Sequence, residues 1–184
     1  MAAEQTTSIN SDSPAQPASA QPASAQPTAQ ALASDVALTR FFETSSAARK
    51  AAAPLRKNAE VAVTFTDVPG DFRFALVDGK PRLLREKARD PDFLLTLSPG
   101  AVADIASKPD NDVGDLGILF FQHMLAEKPE DKVHVKLHSG LIKLTMRGYL
   151  GVLAAGGVKV IGWMAQKGLK GPGAVAAAIS KLKK

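Results

Sequence analysis

The hydrophobic pattern of this chain changes its period near residue 60, and that change limits the folds it can adopt. Between Glu60 and Leu97, apolar residues recur at every second position in four short runs separated by turn residues. Such alternation is typical of strands with one buried face, whereas helical spacing appears before and after it. The pattern predicts an α+β domain.

The strands are predicted at about 60–66, 72–77, 82–87, 93–97 and 133–138. Asp78-Gly79 is the strongest turn signal, because a type I′ hairpin turn needs positive φ at both central positions. Ile142, Leu144 and Met146 also alternate, so they either extend the last strand or form another. We therefore expect a mostly antiparallel sheet of five strands, or of six.

Helical segments are predicted around this sheet. Ser34 is expected to cap a helix that ends at Pro54, and Ser98 is expected to cap a second helix over 99–107. Residues 113–127 are apolar on nearly every side, which predicts a buried helix or one facing a cavity. Two further helices are expected at about 150–167 and 172–183.

The first 33 residues have a different composition and contain an exact repeat of Ala-Gln-Pro-Ala-Ser at 15–19 and 20–24. Such a segment has too few large apolar residues to offset its ordering entropy, so we expect a disordered tail over 1–33. The domain is expected to cover 34–184, with a basic, Gly/Ala-rich segment from residue 148. Arg40 is the first basic residue and no apolar leader precedes it, so we expect a cytoplasmic protein.

Charge is distributed unevenly along the chain. From Lys132 to Lys184 there are ten Lys or Arg residues and no Asp or Glu. This gives a positive field that attracts anionic lipid surfaces, nucleic acids or acidic ligands. Nucleic acid is not expected, because only Tyr149 and Trp163 offer stacking faces in this region.

Residues suited to catalysis or metal binding are sparse. The chain has no cysteine, and His134 and His138 lie on a predicted strand too far apart to share an ion. His123 is interpreted as a core or pocket-edge histidine. Residues 110–115 are similar to a calcium loop but lack the closing carboxylate, so capping of a helix by Asp112 explains them better. We expect no enzymatic activity, no metal and no cofactor.

Residues 148–165 approach a membrane span in length and apolarity. Lys159 and five glycines count against that interpretation, because a buried lysine is costly in lipid and glycine weakens a helix. We favour a segment that packs over an apolar cavity or touches a bilayer surface.

The order of these elements resembles that of a sterol carrier protein 2 type lipid-binding domain over about residues 35–170. Residues 91–98 (PDFLLTLS) are similar to the strand that precedes a helix in that family, and residues 132–140 to its late basic strand. The resemblance implies a five-stranded sheet with helices on one face. It also implies an apolar tunnel that binds fatty acyl chains, sterols or similar lipids without a metal or redox cofactor.

The leading hypothesis is therefore non-catalytic binding or transfer of a lipid in an apolar cavity between the sheet and the helices. The residues expected to line it are Phe72, Phe74, Leu76, Phe93, Leu95, Leu116, Phe120, Met124, Leu150 and Leu153. Lys159, Lys167 and Lys170 are expected to contact a lipid headgroup or an anionic membrane. The alternative is an adaptor without a ligand, which docks a membrane or a partner through its basic C-terminal third.

Overall fold

The structure is a computed structural model that describes residues 32–168. All but the last two positions of the expected tail lie outside the described residues. Lys170 and the helix expected near 172–183 lie outside them as well.

The described residues form helices and a single sheet, which confirms the α+β class. The helices are α1 (Ser34–Thr44), α2 (Ser46–Ala52), α3 (Pro99–Ala106), α4 (Val113–Met124), α5 (Leu141–Met146), α6 (Tyr149–Ala155) and α7 (Gly157–Gln166), with a short 3-10 turn at Pro129–Asp131. The strands are β1 (Glu60–Phe65), β2 (Phe72–Val77), β3 (Lys80–Leu84), β4 (Phe93–Leu97) and β5 (Val133–Leu137).

The five strands are arranged in the order β3-β2-β1-β4-β5. The β1–β4 pair is parallel and the other three pairs are antiparallel, so the sheet is mostly antiparallel as expected. The hairpin between β2 and β3 turns at Asp78 and Gly79, whose φ angles are 50° and 72°. These positive angles match the type I′ turn that the Asp-Gly pair predicts.

The helices cover one face of the sheet, and the strand register explains why. Val63 lies between Phe72 of β2 and Leu95 of β4, so apolar side chains from neighbouring strands form one continuous inner face. On the outer face, Thr64 and Thr96 hydrogen-bond to each other through their hydroxyl groups at 3.0 Å. The inner face carries the core, whereas the outer face is mixed and carries polar residues, such as Thr64 and Lys136, beside apolar ones, such as Ala62 and Leu94.

Of the two strand numbers expected, five is correct; residues 141–146 form helix α5, so they neither extend β5 nor form a sixth strand. Leu137 pairs with Phe93, the first residue of β4, and His138 and Ser139 then both donate to the carbonyl of Asp92. Beyond that point β4 offers no backbone to pair with, so a further strand would leave its donors and acceptors unsatisfied.

Two predicted helices are each divided in two. Ser45 is extended between α1 and α2; its hydroxyl oxygen accepts from the backbone N–H of Ala48, and the hydroxyl donates to the carbonyl of Pro109 at 2.9 Å. Gly156 separates α6 from α7. None of the helices among the described residues has the length and apolarity needed to cross a bilayer.

The expected cap at the start of α1 is also corrected. Ala33 occupies the capping position, and Ser34 belongs to the helix. The hydroxyl of Ser34 instead donates to Asp67 at 2.8 Å, which ties the helix to the loop after β1. The cap expected from Asp112 is confirmed, since its carboxylate accepts from the backbone N–H of Asp115 at 2.8 Å.

Candidate apolar ligand cavity

An apolar cavity of about 360 Å³ lies between the inner face of the sheet and the helices. Volumes of this order are typical of sites for small organic molecules. The sheet contributes Val61, Val63, Phe74, Leu95 and Leu97. The helices α4, α6 and α7 contribute Val113, Leu116, Gly117, Phe120, Phe121, Tyr149, Val152, Leu153, Gly156 and Val160. Helices α1 and α2 contribute Leu38, Phe41, Phe42, Ala48, Ala51 and Ala52. The rest of the wall is formed by Leu55 and by Ile105 of α3.

Helix α4 is apolar on nearly every side because it has three apolar neighbours. Leu119 is buried in the core, and Phe120 borders the cavity. On a third side α4 packs closely on α7, since a Cβ atom added to Gly117 would lie 2.9 Å from Cγ2 of Val160. The prediction that this segment is buried or faces a cavity is confirmed.

Five of the ten residues expected to line the cavity border it, namely Phe74, Leu95, Leu116, Phe120 and Leu153. The other five do not border it. Phe72 is buried against Phe65, with ring centroids 5.0 Å apart, and Leu76 is half-buried near the far end of β2. Met124 packs on the core below the cavity wall. Leu150 is 47% exposed, on the outside of α6.

Phe93, the fifth of these residues, packs against the ring of Tyr149 with centroids 5.0 Å apart. Alternation along a strand predicts which face a residue occupies, but not its position along that face. Phe93 lies on the inner face at the end where Tyr149 stands between it and the cavity. The residues of α1 and α2 that border the cavity were not predicted, because the pattern did not show that these helices pack over the sheet.

Lys159 does not border the apolar cavity. Its ammonium group bonds to the carboxylates of Asp112 and Asp115, the latter at 3.0 Å, and these bonds raise its pKa. Lys167 places its ammonium group 5.7 Å from the centre of the Trp163 ring. The charge of Lys159 is therefore matched by two carboxylates, one in α4 and one at its cap.

A second, polar groove of about 420 Å³ adjoins the apolar cavity, since Val113 and Gly156 line both. The charged residues that line this groove are Lys50, Lys159, Asp110 and Asp112. Two positive and two negative side chains give the groove no net charge. A ligand that extends from the cavity into this groove would meet polar groups with balanced charge.

A buried ion pair fixes the C-terminal helices to the start of β4. The carboxylate of Asp92 is fully buried and accepts from Arg147 and from Ser139, each at 2.8 Å. Arg147 also donates to Asp90 at 2.7 Å, and Lys143 bonds to the same carboxylate at 2.6 Å. Lys143 first, and then Arg147, lower the pKa of Asp90. The sequence pattern did not predict this cluster, because its two halves, at residues 90–92 and 139–147, lie more than 40 residues apart.

Tyr149 carries the one hydroxyl group in the cavity wall among the described residues. The oxygen is buried and has no hydrogen-bond partner in the described part of the chain; it lies near the Asp92 carboxylate but outside hydrogen-bond geometry. Burial is the main cause that raises the pKa of Tyr149, and the neighbouring Asp92 charge adds to it. The hydroxyl is therefore neutral at physiological pH.

The three histidines occupy the places that the sequence predicts. His123 is buried, with Nδ1 2.7 Å from the carbonyl of Asp131 and Nε2 3.1 Å from Asp104. His134 and His138 are exposed. Within residues 32–168 no three metal-ligating side chains come together. Comparisons with protein-family models, with curated proteins and with solved structures find no match to this chain.

Proposed function

We propose that this chain is a cytoplasmic, non-catalytic carrier that binds a lipid in the apolar cavity. The observation that carries the proposal is the cavity itself, whose lining side chains are all hydrocarbon apart from Tyr149, and the hydroxyl oxygen of Tyr149 is buried. A sheet with helices on one face and an apolar space between them is also the arrangement that the resemblance to sterol carrier protein 2 type domains implies.

The affinity would come from removing hydrocarbon from water. Each methylene buried contributes about 0.8 kcal/mol, so a chain of about ten carbons gains on the order of 8 kcal/mol before the cost of immobilisation. A space of 360 Å³ holds on the order of ten to fifteen non-hydrogen atoms, if each takes about the volume of a water molecule. This number is smaller than a sterol contains, so we favour a single acyl or prenyl chain of medium length.

The charges at the adjoining groove favour a neutral headgroup. Lys159, which would otherwise attract a carboxylate or a phosphate, is bonded to Asp112 and Asp115. An anionic headgroup would have to displace one of these carboxylates or leave its own charge near them. A hydroxyl, ester or amide group could instead hydrogen-bond in the groove without that cost.

Two measurements test this proposal. Purified protein is extracted and its lipid content is measured by mass spectrometry, and a stoichiometric lipid with a neutral headgroup is expected. Binding of dodecanol and of dodecanoate is then compared through the emission of Trp163, the one tryptophan of the chain, which stacks on the cavity residue Phe121. Tighter binding of the alcohol supports the neutral headgroup, and no binding of either compound would exclude the carrier function.

The alternative of an adaptor without a ligand predicts a different result in the same assays. An adaptor would yield no stoichiometric lipid, and its melting temperature would not rise with added dodecanol. A carrier must be stabilised by its ligand, because a ligand that binds only the folded state raises the free energy of unfolding by mass action.

A further inference from the structure

Large apolar side chains are exposed on the outside of the C-terminal helices. Val158 and Ile161 of α7 are 85% and 63% exposed, and Ile142 and Met146 of α5 are 80% and 74% exposed. Outside these helices, the most exposed large apolar residues among those described are Leu125, at 62%, and Leu32, at 57%. Exposed apolar groups are therefore concentrated on this part of the surface, as at sites of protein or membrane contact.

Helix α7 has two apolar sides with different surroundings. Val160 and Met164 are 4% and 6% exposed, and Val160 borders the cavity. Val158 and Ile161 lie three positions apart, on one side of the helix, and face solvent. We call Val158 and Ile161 the outer face of α7. The helix thus separates the cavity from an exposed apolar surface.

The charge of the C-terminal third indicates which partner fits this face. Lys143, Arg147 and Lys159 are bonded to carboxylates, so they do not supply an attraction for an anionic partner. Five basic and no acidic residues follow α7 in the sequence, and the first of them, Lys167, lies beside Trp163. Apolar side chains flanked by lysine and tryptophan suit the boundary between headgroups and acyl chains. Anionic lipids add an electrostatic attraction for the basic residues.

We propose that the outer face of α7 docks on the surface of a membrane that contains anionic lipid. In the docked state α7 lies between the bilayer and the cavity, so a lipid could pass from one to the other without crossing water. The docking itself stands on exposure and charge, and only this route for the ligand rests on the proposed carrier function.

The test uses the full chain and vesicles of phosphatidylcholine, with and without an equal part of phosphatidylglycerol. Binding is measured by co-sedimentation and by the emission of Trp163, which should shift to shorter wavelength as its surroundings lose water. The wild type is expected to bind the mixed vesicles more tightly than the neutral ones, and added salt should reduce the difference.

The variant Ile161→Ser is compared with Leu94→Ser, because Leu94 is also exposed but lies on the face of the sheet that points away from the helices. Ile161→Ser is expected to lower partition to the mixed vesicles about tenfold, since a buried isoleucine supplies a large share of such binding. Leu94→Ser should bind like the wild type. Equal binding by the two variants, or no binding by the wild type, would overturn the proposal.

Two further outcomes distinguish membrane docking from dimerisation through the outer face and from the proposed carrier function. Light scattering that shows a wild-type dimer and a monomeric Ile161→Ser variant would make the outer face a dimer contact and would overturn membrane docking. Dodecanol binding without vesicles should be the same in the wild type and in Ile161→Ser. If the wild type binds vesicles but does not bind dodecanol, membrane docking is supported and the carrier function is refuted.

Discussion

Replacement of Leu153 by phenylalanine tests whether the cavity holds the ligand. Leu153 is on α6 and borders the cavity, whereas Leu150 is on the same helix and is 47% exposed. The same change at the two positions therefore adds a ring inside the cavity in one variant and at the surface in the other. Both variants make the same leucine-to-phenylalanine change within one helix, so the change in helix propensity is the same in both. A difference in ligand binding between them therefore depends on where the side chain lies.

The expected size of the effect follows from the room that the ring takes. Phenylalanine has three more side-chain carbons than leucine, and these exclude about three ligand methylenes. At about 0.8 kcal/mol for each methylene, Leu153→Phe should weaken binding by about 2.4 kcal/mol, or about 60-fold. Leu150→Phe should leave the affinity within about twofold of the wild type.

The assay is a titration of fatty alcohols of increasing chain length, followed through the emission of Trp163. Leu153→Phe should also move the preferred chain length downward, because the remaining space is shorter. Its melting temperature without ligand should be unchanged or higher, since the ring gains packing contacts in an unfilled space. Equal affinities for the two variants would refute the assignment of the cavity as the binding site.

Three other perturbations test the polar contacts that surround the cavity. Arg147→Met should leave the buried carboxylate of Asp92 without its cation and lower the free energy of unfolding by about 3–5 kcal/mol, measured in urea; a loss under about 1 kcal/mol would contradict the role of this pair. Burial raises the pKa of Tyr149, so above about pH 10 the unfolded chain releases a proton that the folded chain keeps, and stability falls as pH rises. Tyr149→Phe should reduce this alkaline loss in thermal melts between about pH 9 and 11, and an unchanged pH profile would show that the hydroxyl does not titrate in this way. Lys159 lowers the pKa of Asp112, so this pair stabilises the fold above about pH 4 and the effect disappears as pH falls below the folded pKa. Asp112→Asn keeps a side-chain oxygen for the helix cap, and it should lower the melting temperature more at about pH 7 than at about pH 2.5; equal losses at both values would mean that the charge of Asp112 does not stabilise the fold.

The parts of the fold that depend on neighbours in sequence could be predicted. The Asp78-Gly79 turn and the alternating runs on either side of it determine the β2–β3 hairpin locally, because the turn type fixes the register. The parallel pairing of β1 with β4 joins segments separated by about 30 residues. The hydrophobic period within each strand does not predict which strands pair. The alternation over 142–146 predicts a strand for the same reason, because a local pattern does not show that no neighbouring strand is left to pair with it.

The cavity depends on contacts between residues far apart in the sequence, which explains why only half of the residues expected to line it border it. Arg147 is held to Asp92 before α6, and α7 approaches α4 closely where Gly117 and Val160 form part of the cavity wall. With both contacts in place, Leu153 and the residues beside it cannot move inward to fill the space, because such a shift would break the buried ion pair or force α7 into α4. An apolar void costs stability when nothing fills it, so a chain that holds one open by two separate constraints is well suited to bind an apolar ligand there.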